Sequence, residues 1–572
     1  MPTLPRTSPT GKAPRANVCH ARRMATDAGR ASVTPLVDLH GRSAWSVLPP
    51  LILGFFMIMV DTTIVNIAIP TLTDKFGASI VEVGWVNSAY LLSYAVLMLP
   101  AGRLGDRVGP KPVFLVGLVV FTVFSFLSGF SGELGSEPHI GWLIGSRALQ
   151  GVGAALMTPQ TMSIITRVFP ARQRGGALGL WGATAGVATI AGPLLGGVLV
   201  ETLGWEWIFY VNIPVGVVAL VLGLLYLPRL ASHAQALDGV GVVLSVLGLG
   251  LVVFGLQEGS NFDWGEIWGP VSVWSLIGAG LVVLGVFVWW QARQGTAALL
   301  PLRLFRSRNF SLANVGGMAA SFAMIGIFFP LTIFLQTILG LSPLQAALVT
   351  LPGSLVSGIV APFAGRLSDR VPAKWVVAAG FTGLTLAVTW MAVVVSSDPS
   401  PWEFLAPMGL FGVGTGLTFS PLSNLATSGL DQSTAGAGAG AFNTTRQVGG
   451  VIGSAAIVAA LTARLAVTIP AAARDVAQSL PPGIRSQFVE GVTRAGASTA
   501  STSGTRASMT AGLPDDVSAQ AARLARDAIT RGFADAAGQT FAVAAVVLVG
   551  AIVCAVLMSP EHVTESAAAD TA

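Results

Sequence analysis

The sequence predicts an all-α membrane protein of two repeated six-helix halves with two inserted central helices, fourteen transmembrane helices in all. Three observations predict it. Hydrophobic residues make up 53% of the 572-residue chain and charged residues only 10%, with a mean hydropathy of +0.71; ordinary soluble proteins carry about 25% charged residues, and a soluble core cannot hide so much apolar surface. Apolar runs able to cross ~30 Å of hydrocarbon, roughly 20 residues each, recur along the chain. The stretch GRLGDRVGPKP at 102–112 returns as GRLSDRVPAKW at 365–375, identical at seven of eleven positions, each time between the second and third run of a half.

Taken in order, residues 1–45 are rich in Arg, Pro, Ala and Ser and lack the apolar core of a signal peptide. They are expected to form a disordered cytoplasmic tail, with Met24 as an alternative start. Runs near 46–72, 83–101, 113–131, 142–167, 177–200 and 207–228 form the first half, 46–228. The region 229–309 holds the two inserted runs, near 239–257 and 271–291, and a cytoplasmic linker. The second half, 310–558, holds runs near 310–339, 342–364, 375–395, 402–427, 436–461 and 538–558, with a long extracytoplasmic loop at 462–537. Residues 559–572 are a cytoplasmic tail. Within the long loop, 517–537 reads as an Ala-rich helix with Val517, Leu524, Ile529 and Phe533 roughly on one face; it is either a cap over the outer vestibule or a mobile tether.

An even number of spans puts both termini on one side. With the N-terminus inside, Lys and Arg concentrate in the inner loops and tails, while Lys75 is the single basic residue of the short outer loops. This bias makes both termini cytoplasmic and the chain a multi-pass protein of the cytoplasmic (inner) membrane. The eight Arg of 462–537 do not overturn it, because long loops escape the rule.

Several function classes are disfavoured. The formal charge of +5 is spread over many loops without a dense basic patch, so no nucleic-acid partner is expected. Cys19 and Cys554 lie at opposite ends and all five histidines fall outside the apolar runs, so no metal centre is expected. The chain has no G-x-x-x-x-G-K-[ST] phosphate loop, no G-x-S-x-G and no H-E-x-x-H. Neither an ATP-driven pump nor an enzyme is expected, and no cofactor.

Deep ionisable residues are few. Asp61 is the only acidic residue placed deep in a span; a charge there costs about 2.5–3.5 kcal/mol on insertion scales and by default marks function. It is either a proton-coupling carboxylate or a structural group bonded to Asn66 or nearby backbone. Arg147 and Arg446 are the only arginines well inside spans. Arg147 lies toward the outer third of its span, within snorkelling reach. Arg446 binds substrate, pairs with Asp61, or anchors its span with Gln447, and the sequence does not rank these. Asn314, Gln336, Asn424 and Asn443 are candidate polar contacts of a largely apolar cavity, with Phe55, Phe56, Met57, Phe328, Phe329 and Phe334 as candidate walls. With one deep acid, a neutral or weakly cationic lipophilic substrate fits as well as a strongly cationic one.

In the repeated hinge, Gly102 lets two span ends approach. Asp106 sits just before the third span, where a helix dipole favours a carboxylate; it can pair with Arg103, Arg107 or a helix end of the other half. Gly102, Asp106 and Arg107 are the expected conformational latch, and Gly365, Asp369 and Arg370 its weaker counterpart. The fifth span carries Gly179, Gly182, Gly186, Gly192, Pro193, Gly196 and Gly197, which suits close helix packing and a bend at Pro193.

Five stretches in order, MVDTTIVNIAIPTL (59–72), GRLGDRVGPKP (102–112), RALQGVGAALMTPQ (147–160), GLWGATAGVATIAGPLLGG (179–197) and FNTTRQVGGVIGSA (442–455), resemble the major facilitator superfamily and, within it, the fourteen-span drug:proton antiporters, over about residues 46–558. The departures are Pro110 and Pro112 in a loop that is usually more basic, and Ala188 where Gly is common. The resemblance implies the major facilitator fold, alternating access, and proton-coupled efflux of lipophilic drugs or antibiotics. It implies that Arg147 influences protonation of a nearby acid, which makes Asp61 and Arg147 the expected proton-coupling residues. It also implies that Gly179, Gly192, Pro193, Gly196 and Gly197 form an antiporter motif typical of exporters. The expected partners are a small lipophilic substrate, protons and membrane lipids, with the chain a monomer. A dedicated exporter of a native metabolite, lipid or siderophore carries the same features; a non-transporting scaffold or sensor predicts that Asp61 is dispensable.

Overall fold

The structure, a computed structural model, describes residues 43–133, 139–230, 238–295, 298–300, 302–368, 370–395, 400–427, 435–497 and 515–559. The expected tails fall mainly on 1–42 and 560–572, outside the described residues. Among the described residues fourteen long helices occur: α1 (Leu48–Phe76), α2 (Ile80–Val108), α3 (Pro110–Phe130), α4 (Ile140–Val168), α5 (Ala171–Thr202), α6 (Asn212–Tyr226), α7 (Gly239–Glu258), α8 (Val273–Gln294), α9 (Arg308–Ile333), α10 (Pro343–Ser368), α11 (Ala373–Val394), α12 (Leu405–Thr427), α13 (Ala435–Ala477) and α14 (Asp515–Leu557). Each matches one expected run. Twelve segments are long and apolar enough to cross a membrane by length and composition. The other two helices are α4, which carries Arg147, Gln150, Gln160 and Arg167, and α5, whose apolar stretch is Ile190–Thr202.

Local chemistry sets the helix ends. Pro49 stands in the first turn of α1, where its missing N–H costs nothing. Gly77 ends α1 at φ 58°, a left-handed cap that glycine adopts without penalty. Ser79 and Glu82 form a capping box that opens α2. Past Pro330, α9 relaxes into a π-helical turn, Phe334–Ile338.

Helices α1–α6 pack into one bundle and α9–α14 into a second, and the two meet along three seams: α2 with α13, α5 with α10, and α1 with α9. Side chains bond across each. Ser454 and Ser88 lie 3.2 Å apart on the first. On the second, Glu201 accepts from the Ser342 hydroxyl at 2.9 Å and from the Leu344 N–H at 3.3 Å. On the third, Gln336 Nε2 donates to the Ile67 carbonyl at 2.8 Å. These bonds fall toward the C-terminal ends of α1, α5 and α9 and the N-terminal ends of α2 and α10.

The inserted pair is pinned at both of its ends. Asp238 caps α7 through the Gly241 N–H (2.8 Å) and accepts from Trp290 (2.8 Å) and Gln291 (2.7 Å) of α8. At the far end, Gln257 donates to the Val81 carbonyl (3.2 Å) and accepts from Ser88 (3.2 Å), while Glu258 accepts from Trp85 (2.6 Å). Ser88 has one proton and gives it to Gln257, so Ser454 donates to Ser88. The inserted α7 therefore touches the very bond that joins the two bundles.

The segment expected as a long loop is largely helical. Helix α13 runs through Pro470 to Ala477, and α14 begins at Asp515; each has 43 residues, or about 65 Å against ~30 Å of hydrocarbon. A short helix, Arg485–Ala497, packs beside them. Small residues explain the extension. Ala521, Ala525 and Ala528 are fully buried, Gly532 lies against the Ile469 backbone, and Thr468 donates to the Gly532 carbonyl at 2.7 Å. Phe533 stacks on Phe334 of the π-turn at 6.3 Å. The described part is packed rather than a tether: Ile529 and Phe533 are buried, Leu524 packs against the core, and the side chain of Val517 lies outside the described residues.

Candidate functional site

Five helices of the first bundle converge on one buried carboxylate. Asp61 of α1 is wholly inaccessible; its Oδ2 accepts from Arg147 Nη1 of α4 at 2.6 Å. Its Oδ1 accepts from Gln150 Nε2 at 2.9 Å, with Asn212 Nδ2 of α6 at 3.4 Å. Gln150 follows Arg147 by three residues, so both side chains share a face of α4, and Gln150 Oε1 accepts from Arg147 Nη1 at 2.8 Å. Arg147 Nε donates to the Val86 carbonyl of α2 at 3.2 Å, and its guanidinium lies 4.1 Å over the Tyr90 ring. Asn212 also donates to Ser125 of α3 at 3.0 Å, which donates to the Phe209 carbonyl at 2.9 Å. Two buried atoms of this cluster, Arg147 Nη2 and the Tyr90 hydroxyl, have no partner among the described residues.

This arrangement revises several expectations. Asp61 is bonded neither to Asn66, whose Oδ1 is unpartnered, nor to Arg446. Arg147 does not snorkel: it is 0% exposed and turned inward onto Asp61. An opposite charge with good hydrogen bonds is what makes a deep ion tolerable. Sequence reasoning passed over Gln150, Asn212 and Ser125. Gln150 had a signal, a polar residue one turn beyond a deep arginine; Asn212 had only its place at the start of α6.

At the hinge, Asp106 Oδ1 accepts from Arg167 Nη2 at 2.6 Å. Arg167 belongs to the end of α4, so the pair lies within the first bundle rather than with Arg103, Arg107 or the other bundle. Arg103 reaches instead to the Ala298 carbonyl (2.6 Å) beyond α8, and Arg107 is exposed. The close approach falls at Gly105, not Gly102. A side chain at Gly105 would collide with Gln160, which donates to the Ala101 carbonyl at 2.8 Å; a Cβ at Gly102 would sit an ordinary 3.6 Å from Pro159. In the second bundle a Cβ at Gly365 would lie 3.7 Å from Ser420, Arg370 is exposed in a turn, and Asp369 lies outside the described residues.

Along α5, Gly192 and Gly196 face α1, where side chains would meet Thr63 and Ile64. Gly197 faces the other bundle: a Cβ there would lie 2.8 Å from Leu344 Cα and 3.1 Å from the Pro343 carbonyl. Pro193 lies between these two faces, within the helix. The surroundings of Gly179 lie outside the described residues.

The candidate cavity residues divide. Asn443, Arg446 and Gln447 stand together on α13, with Arg446 Cζ 5.5 Å over the Phe419 ring of α12. Gln336 bridges the two bundles through its bond to the Ile67 carbonyl. Asn314 is turned back onto the Phe310 carbonyl at 2.7 Å, and Asn424 is exposed. Phe334 packs between Phe404 and Phe533 in the cap, and Phe55 stacks on Trp181 of α5 at 4.1 Å.

Two six-helix bundles joined along seams of side-chain hydrogen bonds, with a buried ion pair in one of them, define the class of secondary membrane transporters. Residues 51–454 match the Major Facilitator Superfamily model, and the chain belongs to that superfamily. An uncharacterized MFS-type transporter of Mycobacterium tuberculosis is 45% identical over 429 residues, covering 75% of this chain and 72% of the relative. The tetracenomycin C resistance and export protein of Streptomyces glaucescens is 32% identical over 444 residues, 76% of this chain and 79% of that one. Among solved structures, an inward-facing bacterial homolog of the human lysosomal transporter Spinster has a TM-score of 0.59 at 16% identity, covering 91% of this chain and 99% of that chain; that likeness is one of fold.

Proposed function

We propose that the protein exports lipophilic drugs or antibiotics in exchange for protons, with both termini in the cytoplasm and the two bundles rocking about the central seams. The observation that carries this reading is the wholly buried Asp61–Arg147 pair with its Gln150 bond, set in a chain whose relatives include an antibiotic resistance and export protein. Deprotonated Asp61 ties α1 to α4. A proton arriving at Oδ2 removes the negative charge and cancels the attraction that holds Arg147. Helix α1 passes the change on. Thr63, two residues along, packs against Gly192 of α5, and the Ile67 carbonyl is held by Gln336. Both contacts belong to elements that close the far side, so loss of the ion pair loosens the seams together. The membrane potential supplies about 2.3 kcal/mol per charge per 100 mV for the cycle.

The test is dye efflux from energised cells with a panel of neutral, cationic and anionic fluorescent dyes. Efflux above the vector control, stopped by a protonophore, is expected for at least one dye; expressed protein that moves none, or moves dye equally with the gradient collapsed, refutes the reading. The likeness to the tetracenomycin C export protein favours a second form of it, a dedicated exporter of one native metabolite.

We propose the Asp106–Arg167 pair as a latch on the cytoplasmic side. Its members are 33% and 29% exposed, so it contributes only about 0.2–1 kcal/mol to stability. Asp106→Asn is therefore expected to cut efflux several-fold at an unchanged melting temperature and membrane level. Undiminished efflux would remove the latch role.

A further inference from the structure

Counting the deep charges leaves one unaccounted for. Asp61 is matched by Arg147. Among the described residues no carboxylate lies within ion-pair distance of Arg446, and its guanidinium has only the Phe419 ring beneath it, 5.5 Å away. Arg446 stands eleven residues into α13, inside the stretch Gly440–Ala477 that is long and apolar enough to cross a membrane. Helix α13 forms the seam with α2, and Arg446 has Phe419 of α12 on one side and lies near Tyr94 of α2 on the other. The side chain is enclosed by protein and yet keeps part of its surface accessible.

Tyr94 is not the missing counter-charge. Thr158 gives its single proton to the Ala154 carbonyl at 2.9 Å, so the Tyr94 hydroxyl, 3.0 Å away, is the donor to Thr158 and is an uncharged phenol. A guanidinium left unpaired at this depth is costly, and an incoming anion offsets that cost. Its planar fork matches a carboxylate or sulfonate in two parallel hydrogen bonds, and the aromatic face of Phe419 suits a flat apolar body. A cationic cargo would meet uncompensated repulsion.

We propose that Arg446 anchors an anion-accepting substrate site between the two bundles, so that the preferred cargo is a lipophilic aromatic molecule bearing an acidic group. The inference rests on the export reading for the word cargo, but the site itself is tested by binding. The probes are fluorescein and rhodamine 123, which share a xanthene body and carry opposite charge. They are titrated by fluorescence anisotropy against purified protein in nanodiscs of phosphatidylcholine alone, and their efflux is followed in energised vesicles. Wild type is expected to bind fluorescein at least tenfold tighter than rhodamine 123. Arg446→Gln is expected to lose at least tenfold in fluorescein affinity with rhodamine 123 unaffected, and Arg446→Lys, which keeps the charge but not the fork, to lie between the two. Equal affinities, a preference for rhodamine 123, binding of neither dye, or an unchanged fluorescein affinity in Arg446→Gln overturns the proposal. If Arg446→Gln does not purify as a single species, the wild-type comparison of the two dyes decides alone. Arg446-dependent fluorescein binding without efflux of either dye keeps the site and sinks the export reading. Protonophore-sensitive efflux of either dye together with a fluorescein affinity indifferent to Arg446 keeps export and sinks the site.

Discussion

Asp61→Asn and Arg147→Gln are each expected to reduce proton-driven efflux to background and to lower the melting temperature, while the double variant Asp61→Asn/Arg147→Gln recovers stability and not transport. The reason lies in the number of acceptors. Asp61 offers two oxygens, one to Arg147 at 2.6 Å and one to Gln150 at 2.9 Å; asparagine offers one, and turns an N–H toward the remaining donor. Arg147→Gln leaves the carboxylate buried without a counter-charge. Removing one member of a buried pair costs about 3–5 kcal/mol, whereas removing both charges is often neutral. A double-mutant cycle on thermal or denaturant stability therefore measures the structural part of the pair, and efflux measures the rest. Normal proton-driven transport by the stable double variant would show that the pair only holds helices together. Singles as stable as wild type would show that the pair is not a structural tie.

Gly197→Val is expected to cost more than tenfold in transport at a normal membrane level by keeping the α5–α10 seam from closing. The first added carbon would lie 2.8 Å from Leu344 Cα and 3.1 Å from the Pro343 oxygen, backbone atoms that cannot rotate aside, so the two helices must separate. Glu201, one turn further along α5, then loses the Ser342 hydroxyl and the Leu344 N–H that it holds at the start of α10. Ala347 of α10 is fully buried against the same seam. In a protein whose Cys19 and Cys554 have been replaced, Ala347→Cys is expected to react several-fold faster with a membrane-impermeant maleimide when Gly197→Val is present. Gly197→Ala is expected to lie between. Unchanged labelling together with unchanged efflux would mean that this seam does not gate the pathway.

The close approach at Gly197 illustrates how legibility divides along the chain. That α5 would pack tightly was readable from its glycines, because small residues advertise close contact whatever the partner. That Gly192 and Gly196 meet α1 while Gly197 meets the other bundle was not, since the partner depends on the rotation of the helix within the assembled fold. The same limit applies to the hinge. Asp106 was read as a latch residue, but its neighbours in sequence, Arg103 and Arg107, were the visible candidates; Arg167, sixty-one residues away, became the partner because α2 and α4 pack side by side. The segment 462–537 reads in sequence as a long loop holding one Ala-rich helix at 517–537. Alanine-rich faces that bury against each other kept α13 and α14 helical instead, a stabilisation invisible until the two helices are adjacent.

By itself the sequence determined the membrane setting, the fourteen helical segments, the doubled plan and the three deep charges, because these depend on local composition and on periodicity along one chain. Only the tertiary structure decided which charges neutralise each other. Asp61 and Arg147 come to 2.6 Å through the packing of α1 and α4, and Arg446 is left with an aromatic ring beside it instead of an acid. Electrostatic pairing acts over a few ångströms in space, and distance in space is what a one-dimensional pattern does not carry.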